Sequence, residues 1–336
     1  MVMAAEADIL KGGRKTKTAV NDSPKKERGK GLQKLLAQKS LHFMILPALL
    51  VVLLFSYLPM QGLVVSFKNY SVFEGIWGSP WARNHGFEHF LDFFKTPAVW
   101  QVVRNTLALA FFSLLIVQTL PVVFAVLLNE IHQGLFKKVT QTITFVPHFI
   151  SWVVLGGIMF AMFLPTRNSP VNSLLLSLNL VDTPTNIMNN ADTIWVVFIA
   201  AEIWKHLGWN SIIYLAVIAS IDPNLFEAVE IDGGGRWAKI RYITWPSLLP
   251  TFVILFILKC GQIFSAAGFF DQSYVLGTPS NRSMSQVLDV YILRIGLEQA
   301  RYSFATAVGF LKAIVNLLLL LSANALSKRI TGKGLF

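Results

Sequence analysis

The 336-residue sequence contains one cysteine, and charged residues make up only 14% of the chain. Cys260 lies inside an apolar stretch, so neither an intrachain disulfide nor a cysteine-based metal cluster can form. Hydrophobic residues make up 54% of the chain, and the mean hydropathy is +0.55. This scarcity of charge excludes an ordinary soluble domain and indicates a membrane protein.

The sequence also lacks the motifs of nucleotide and hydrolytic chemistry. Gly332-Lys333 and Gly12-Gly13-Arg14 have neither the spacing nor the strand-turn-helix context of a loop that cradles phosphates. There is no His-Glu-x-x-His motif and no Gly-x-Ser-x-Gly motif. We therefore expect no catalytic site, no metal site and no cofactor in this chain, so any ATP must be hydrolysed by another polypeptide.

What the sequence does contain is long apolar stretches. A helix needs about 20 mostly apolar residues to cross a bilayer, and six segments satisfy this length. The first begins only after a long polar segment and exceeds the core of a signal peptide, so we expect a retained helix and not a cleaved leader. The predicted fold is an all-α polytopic membrane protein with spans at 43–66, 104–128, 143–164, 193–220, 249–270 and 303–326.

The distribution of basic residues predicts the orientation of these spans. With a cytoplasmic N-terminus, the inside segments hold 18 Lys and Arg residues and the outside segments hold 8. This bias agrees with the positive-inside rule, so the net charge of +11 reflects membrane topology and lipid contact and not nucleic-acid binding. We expect a partly disordered basic tail over 1–42, in which 31–40 can form an interfacial helix, and a cytoplasmic C-terminal tail over 327–336.

The outside segment after the first span is rich in aromatic residues. Two interpretations remain open, an aromatic belt at the membrane interface and a contact surface for an extracellular partner. The residues are Phe73, Trp77, Trp81, Phe87, Phe90, Phe93 and Phe94.

A polar loop at 221–248 separates the fourth and fifth spans. Asp222 can N-cap a short helix that has Pro223 at its first position, and Gly233-Gly234-Gly235 can end that helix in a tight turn. Within this loop, Glu227-Ala228-Val229 is followed after three residues by Gly233, and after nine more by Ile243-Thr244-Trp245-Pro246. The loop therefore predicts a short helix at the cytoplasmic membrane face.

This pattern over 227–246 resembles the EAA motif of ATP-binding-cassette (ABC) importer permeases, although Val229 replaces a second Ala and Trp245 replaces Leu. Further segments resemble the sugar permeases of carbohydrate-uptake type 1 importers, in the branch that handles complex oligosaccharides. They are Tyr57-Leu58-Pro59-Met60, Phe67-Lys68-Asn69-Tyr70, Leu127-Leu128-Asn129-Glu130-Ile131, Gln141-Thr142-Ile143, Pro147-His148-Phe149-Ile150-Ser151-Trp152 and Ala305-Thr306-Ala307-Val308-Gly309.

The resemblance implies a type I importer fold in a bacterial inner membrane, with one accessory helix and five core helices. It also implies a second homologous permease, two ATPase subunits that bind ATP and Mg, and an extracytoplasmic solute-binding protein that delivers an oligosaccharide. Residues that would dock on an ATPase are Glu227, Ala228, Asp232, Gly233, Ile243 and Pro246. For Glu227, a solvated helix face is the alternative to a bond with a basic partner residue.

Polar side chains inside the spans are candidate substrate contacts, because ionisable groups are costly at membrane depth. An aromatic ring beside amide and charged groups is typical of sugar recognition. The fourth span contributes Glu202, Lys205, His206, Trp209 and Asn210, and the fifth contributes Lys259 and Gln262. Alternatively, Glu202 neutralises Lys205 or His206 on its own helix. The excess of lysine over acid, which includes Lys312, suits a uronate-containing oligosaccharide.

Two other function classes remain open at this point. A secondary transporter would show paired half-helices or internal symmetry with carboxylates placed for protons or sodium. A membrane-embedded glycosyltransferase would need an acidic or histidine-rich group of residues in an interfacial loop. The sequence shows neither pattern, and the outside loops contain only scattered acids.

Overall fold

The computed structural model describes residues 39–132 and 134–331. Residues 1–38 of the predicted N-terminal tail, with most of the predicted interfacial helix at 31–40, and residues 332–336 of the predicted C-terminal tail fall outside this part, whereas 327–331 belong to the last helix. The chain divides into two units, Met1–Met60 and Gln61–Phe336. The described part of the first unit is helical, and all packing discussed below lies within the second unit.

The described residues form α-helices joined by short 3₁₀ and π segments, and strand pairing among them is limited to one isolated antiparallel bridge between Lys68 and Trp81. The all-α prediction is confirmed. The α-helices are α1 Lys39–Val52, α2 Gly75–Gly78, α3 Glu88–Lys95, α4 Pro97–Phe112, α5 Leu120–Glu130, α6 Leu135–Phe145, α7 Trp152–Met162, α8 Pro170–Ser177, α9 Ile194–Ala219, α10 Pro223–Ile231, α11 Arg236–Lys239, α12 Trp245–Cys260, α13 Phe270–Leu276, α14 Arg282–Ser285, α15 Leu288–Leu293 and α16 Tyr302–Thr331. The π segments are Leu53–Tyr57, Ser113–Val117, Ile240–Thr244 and Arg294–Glu298, and the 3₁₀ segments are Leu58–Phe67, Asn84–Gly86, Val146–Phe149 and Ile263–Gly268.

Four helical segments of the described chain are long and apolar enough to cross a membrane, and two bent pairs bring the number to six when each pair counts as one span. The four are Phe43–Phe67, Pro97–Glu130, Arg236–Cys260 and Tyr302–Arg329. The bent pairs are Leu135–Phe149 with Trp152–Met162 and Ile194–Ala219 with Pro223–Ile231. Each span predicted from sequence overlaps one of these segments.

Two predicted spans differ from the structure. The third, expected to be continuous over 143–164, is bent by 100° between Phe149 and Trp152. The fifth, expected over 249–270, begins earlier and its helix ends at Cys260, after which a 3₁₀ segment leads into α13. Both breaks leave apolar residues on each side, so a hydropathy window does not detect them.

Apolar clusters hold the helices of the second unit together. One joins α4 to α15 and α16 through buried residues such as Val102, Tyr291 and Phe304. A second surrounds the start of α9, where Phe198 packs near Phe269. A third cluster joins α5, α9 and α12 at the end of α9 that leads into the polar loop. Helix α9 is thus packed along its length, which fixes the side chains that it carries at its centre.

The polar loop folds as expected from its sequence. Asp222 caps α10 by accepting a hydrogen bond from the Asn224 amide at 3.0 Å, and Pro223 occupies the first turn. The helix ends before Gly233, which has a φ of +77°. A side chain is strained at this φ, so glycine is required at the turn. The next helix, α11, starts at Arg236 and leads through a π segment into α12.

Candidate functional site

The centre of α9 lies against the backbone of α6. A Cβ atom added at Gly208 would lie 2.3 Å from the carbonyl oxygen of Thr144 and 2.6 Å from its carbonyl carbon. No larger residue fits at this contact without moving one of the helices, so Gly208 allows the close approach. This approach places the residues before and after Gly208 beside the break that follows α6.

The break occupies residues 146–151. A 3₁₀ turn over Val146–Phe149 follows α6, and Ile150 is extended, with φ −74° and ψ 128°. Ser151 then starts the next helix, because its side chain accepts a hydrogen bond from the Val154 amide at 3.2 Å. An N-cap serine of this kind satisfies one of the free amides of a new helix. The 100° bend is therefore encoded locally by a helix end followed at once by a capped helix start.

The break brings His148 against α9. Its Nδ1 lies 3.0 Å from Nδ1 of His206, so one imidazole donates and the other accepts. The His148 ring also stacks on Trp209, with centroids 4.2 Å apart and an interplanar angle of 1°. Phe149 packs edge-on against the same indole at 5.6 Å. We call His148, Phe149, His206 and Trp209 the aromatic cluster; Phe149 and Trp209 are exposed.

Lys205, on the same turn of α9, binds the backbone of the break. Its side chain is only 4% exposed. Its Nζ donates hydrogen bonds to the carbonyl oxygens of His148 at 2.6 Å and Ile150 at 2.5 Å, with that of Pro147 at 3.5 Å. The ammonium group also lies 5.7 Å from the ring centroid of Trp152. Lys205 therefore contacts both sides of the break and is not a cavity residue.

Glu202 is also buried and bonded. Its carboxylate accepts a hydrogen bond from the side-chain amide of Gln272, and Nε2 of His206 lies 3.8 Å from the same oxygen. Glu202 and His206 thus approach each other at the i,i+4 spacing considered from the sequence, and the contact is an ion pair only when His206 is protonated. The Oε1 atom of Gln272 has no hydrogen-bond partner among the described residues.

A cavity of about 220 Å³ lies between α9, α12 and the segment that joins α4 to α5. Its polar groups come from Gln118, Asn210, Tyr214, Lys259 and Gln262. Among the side chains that the structure describes, no carboxylate lies within 4.0 Å of the Lys259 ammonium group. The apolar lining residues are Pro121, Ile213, Leu255 and Leu258. The cavity thus combines three amide side chains with a lysine whose charge interacts with the buried Glu202 carboxylate at more than ion-pair distance.

The structure separates the predicted substrate residues into two groups. Asn210, Lys259 and Gln262 line the cavity, whereas His206 and Trp209 face the break. Lys259 was expected near the middle of its helix but lies in the last turn of α12. Lys312, the third lysine within a span, forms an ion pair with Asp289 and is not a cavity residue.

The candidate docking residues lie on the polar loop. Glu227, Ala228 and Asp232 are exposed around α10, and Gly233 and Pro246 are exposed as well. Ile243 differs, because it is only 8% exposed and packs inward. Glu230 forms an ion pair with Lys239, which ties α10 to α11 across the glycine turn.

The comparisons with known proteins identify the family. The model for binding-protein-dependent transport system inner membrane components matches residues 119–332. The chain belongs to this family. It is therefore a permease subunit of an ABC importer, a transport subunit and not an enzyme, and the secondary-transporter and glycosyltransferase alternatives are wrong.

Individual relatives cover nearly the whole permease. The polygalacturonan/rhamnogalacturonan transport system permease protein YteP of Bacillus subtilis (strain 168) is 38% identical over 312 residues, which cover 93% of this chain and 95% of that protein. Protein LplB of the same organism is 36% identical over 318 residues, with 94% and 98% covered.

Two solved structures share the fold of the permease. A chain of a bacterial ABC transporter involved in the import of the acidic polysaccharide alginate has a TM-score of 0.82 and 34% identity, with 90% of this chain and 99% of that chain covered. A chain of the bacterial alginate ABC transporter in complex with an alginate pentasaccharide-bound periplasmic protein has a TM-score of 0.81 and 34% identity, with 92% and 100% covered. The type I importer fold is confirmed.

Sequence reasoning missed three residues of the candidate site in the permease. His148, Gln118 and Gln272 lie 58, 96 and 70 residues from their respective partners His206, Tyr214 and Glu202. Each is a polar residue in or next to an apolar stretch, and this was the only signal available in one sequence. Their partners are visible only once the helices are packed.

Proposed function

We propose that the permease imports acidic oligosaccharides and that Lys259 contacts their carboxylates during passage. The observation that carries this proposal is the position of Lys259, a half-buried cation in a polar cavity with no carboxylate partner within ion-pair distance. A cation at membrane depth is costly unless it serves water or a ligand. Of the three lysines within the spans, Lys205 is bonded to carbonyl oxygens and Lys312 is paired with Asp289, whereas Lys259 has no direct ion-pair partner among the described residues and interacts with Glu202 only at longer range.

The substrates named for similar proteins support an acidic class. YteP is named for transport of polygalacturonan and rhamnogalacturonan, and one structural neighbour is described as an importer of the acidic polysaccharide alginate. A uronate residue carries one carboxylate beside several hydroxyl groups. Lys259 can bond the carboxylate, and Asn210, Gln118 and Gln262 can donate to or accept from hydroxyl groups.

We propose that the aromatic cluster is a second contact for the sugar. The His148 ring covers one face of the Trp209 indole, so a sugar can stack only on the other face or on exposed Phe149. Aromatic faces pack against the apolar faces of sugar rings, and this contact does not depend on the charge of the sugar. His206 and Trp209 of the cluster lie four residues before Asn210 and Ile213 of the cavity, so the two contacts follow each other along α9, which suits a chain of several sugar units more than a single monosaccharide.

The proposed assembly has four further components. A second homologous permease contributes the other half of the pathway, and two ATPase subunits bind ATP and Mg and dock on Glu227, Ala228 and Asp232 around α10. A solute-binding protein delivers the oligosaccharide from outside. Both ends of the chain lie in the cytoplasm of a bacterial cell, as the charge bias predicts. The complex of a similar permease with a periplasmic protein supports this arrangement.

Replacing Lys259 with methionine tests the charge. We expect the apparent KM for an oligogalacturonate to rise by roughly 5- to 150-fold, which corresponds to about 1–3 kcal/mol for a lost hydrogen bond to a charged group. Uptake of the carboxyl-reduced, neutral form of the same oligosaccharide should change little. The measurement is uptake into proteoliposomes that contain the complete complex and its solute-binding protein.

For each sugar, the apparent KM of the variant is divided by that of the wild type. This ratio does not depend on the preference of the solute-binding protein, because the same protein delivers both sugars to both permeases. Lys259→Arg is the matched control, since it keeps the positive charge and should keep most of the acidic uptake. An equal loss for the acidic and the neutral sugar in Lys259→Met would contradict an electrostatic role of this residue.

Replacing Trp209 with alanine tests the aromatic cluster. We expect the apparent KM to rise by roughly 5- to 30-fold for acidic and neutral sugars alike, because stacking area is lost and no charge changes. Complex yield and sugar binding by the solute-binding protein should be unchanged. Trp204→Ala is the control, since Trp204 is exposed on the same helix but lines a separate apolar groove. If both tryptophan variants transported like the wild type, the cluster would not be a substrate contact.

A further inference from the structure

Lys205 is a buried cation that no substrate can reach. Its side chain is 4% exposed, and its ammonium group faces three backbone carbonyl groups between Pro147 and Ile150. We propose that Lys205 is a positioning residue that holds the break in the third span and thereby sets His148 and Trp209 at the substrate passage. This inference rests on the proposed function, because it assumes that the aromatic cluster meets the sugar.

The break needs such a group for a physical reason. The last carbonyl groups of a helix have no partner within the helix, and the hydrocarbon region of a membrane offers no water to replace it. The carbonyl oxygen of Pro147 accepts a hydrogen bond from the Ile150 amide at 3.2 Å, whereas those of His148 and Ile150 accept from Lys205, because the helix stops at the extended Ile150. An ammonium group has three N–H donors and no acceptor, so one lysine can serve three carbonyl oxygens. Its charge also suits the negative end of a helix.

The same lysine controls the position of His148. One turn of α9 contacts both the backbone and the side chain of His148. Lys205 bonds the carbonyl oxygen of this histidine, while His206 and Trp209 contact its ring. Without the ammonium group, the carbonyl groups of His148 and Ile150 lose their donor and the segment is free to shift. The ring of His148 would then leave the indole of Trp209, which would lose the support of one face.

Lys259 provides the contrast. It also lies inside a span, but it forms no bond to the break and instead lines the cavity. Lys205→Met and Lys259→Met therefore each remove one positive charge, and we expect them to impair transport for different reasons. Loss of Lys205 should act through the aromatic cluster, whereas loss of Lys259 should act directly on the carboxylate of the sugar.

A double-mutant cycle on the assembled complex in proteoliposomes separates these routes. We expect Lys205→Met to raise the apparent KM by roughly tenfold, since buried carbonyl groups are left without a donor. Combined with Trp209→Ala, it should raise KM no further than the larger single effect, because both changes remove the same platform. Combined with Lys259→Met, the effects should multiply. Effects that multiply in both combinations would overturn the proposal, because a merely structural role would not single out Trp209.

A measurement of the break itself does not depend on transport. Val146 is exposed in the 3₁₀ turn and lies outside the cluster. A spin label on Val146→Cys, in a Cys260→Ala background that has no other cysteine, should become more mobile in Lys205→Met. It should stay unchanged in Lys259→Met and be largely restored in Lys205→Arg. Lys205→Gln, which keeps two N–H donors, replaces Lys205→Met where the latter fails to assemble.

The two measurements have distinct outcomes. An unchanged label in Lys205→Met overturns the positioning role, whatever the transport result. A wild-type KM in Trp209→Ala overturns the proposed substrate role of the cluster, and the label then decides whether Lys205 holds the break.

Discussion

Replacing Gly208 with alanine is expected to destabilise the assembled complex and to reduce transport in parallel. The added Cβ would meet the backbone of Thr144 at 2.3 Å and the ring of Phe145 at 2.8 Å, both well inside van der Waals contact. Backbone atoms inside a helix cannot rotate away, so α6 and α9 must separate. Overpacking of this kind costs about 1–3 kcal/mol or more, which exceeds the roughly 1 kcal/mol that alanine gains over glycine in helix propensity. The separation also moves His148 away from His206 and Trp209.

The measurement is thermal unfolding of the purified complex in detergent, followed by uptake in proteoliposomes. Gly157→Ala is the matched control, because Gly157 also lies within a helix and a Cβ there would meet no atom within 4 Å. The control should be as stable as the wild type or slightly more stable. If Gly208→Ala unfolded at the same temperature as Gly157→Ala, the close helix contact would not limit stability.

Replacing Gly233 with leucine should abolish ATP-coupled uptake while leaving membrane insertion intact. Gly233 has a φ of +77° at the end of α10, where a branched side chain is strained although the space around it is open. The strain would displace α10 and with it Glu227, the proposed contact to a basic residue of an ATPase. Glu227→Lys should have the same effect by placing like charges together.

Co-purification with the ATPase subunits and ATP-driven uptake are the two measurements for these loop variants. Gly235→Leu is the control, because this residue lies in the same turn with a φ of −81° and has open space for a side chain. It should assemble and transport. Normal assembly and uptake by both Gly233→Leu and Glu227→Lys would show that this loop does not dock on the ATPase.

Much of the fold follows from hydropathy and local turn chemistry. The six spans are visible as apolar stretches, and the capped helix after Asp222 is visible because capping and glycine turns depend on neighbouring residues. The break at 146–151 was not predicted, although Pro147 and Ser151 are present, because apolar residues continue on both sides. A window that averages hydropathy therefore reads two helices as one.

The candidate site shows the same limit. The sequence marked Lys205 and Lys259 equally, as lysines at membrane depth. Only the packing shows that the first is surrounded by carbonyl groups and the second lines a cavity. Helical spacing places His206 and Trp209 on one face of α9, but it does not tell which element that face meets. The structure shows that this face meets His148 in the break of the third span. His148 lies 58 residues from His206 along the chain, so local sequence patterns do not indicate the contact.

The right-angled third span also has a mechanical consequence. Helix α6 is pressed against the centre of α9 at Gly208, while α7 packs on α13, where a Cβ at Gly156 would lie 2.5 Å from the side chain of Val275. Trp152 and Leu155 of α7 also pack with Ala201 of α9, so both arms contact α9 on either side of the break at 146–151. Because both arms contact α9, we expect a displacement of α6 along α9 to change the angle at the break and thereby to tilt α7 against α13.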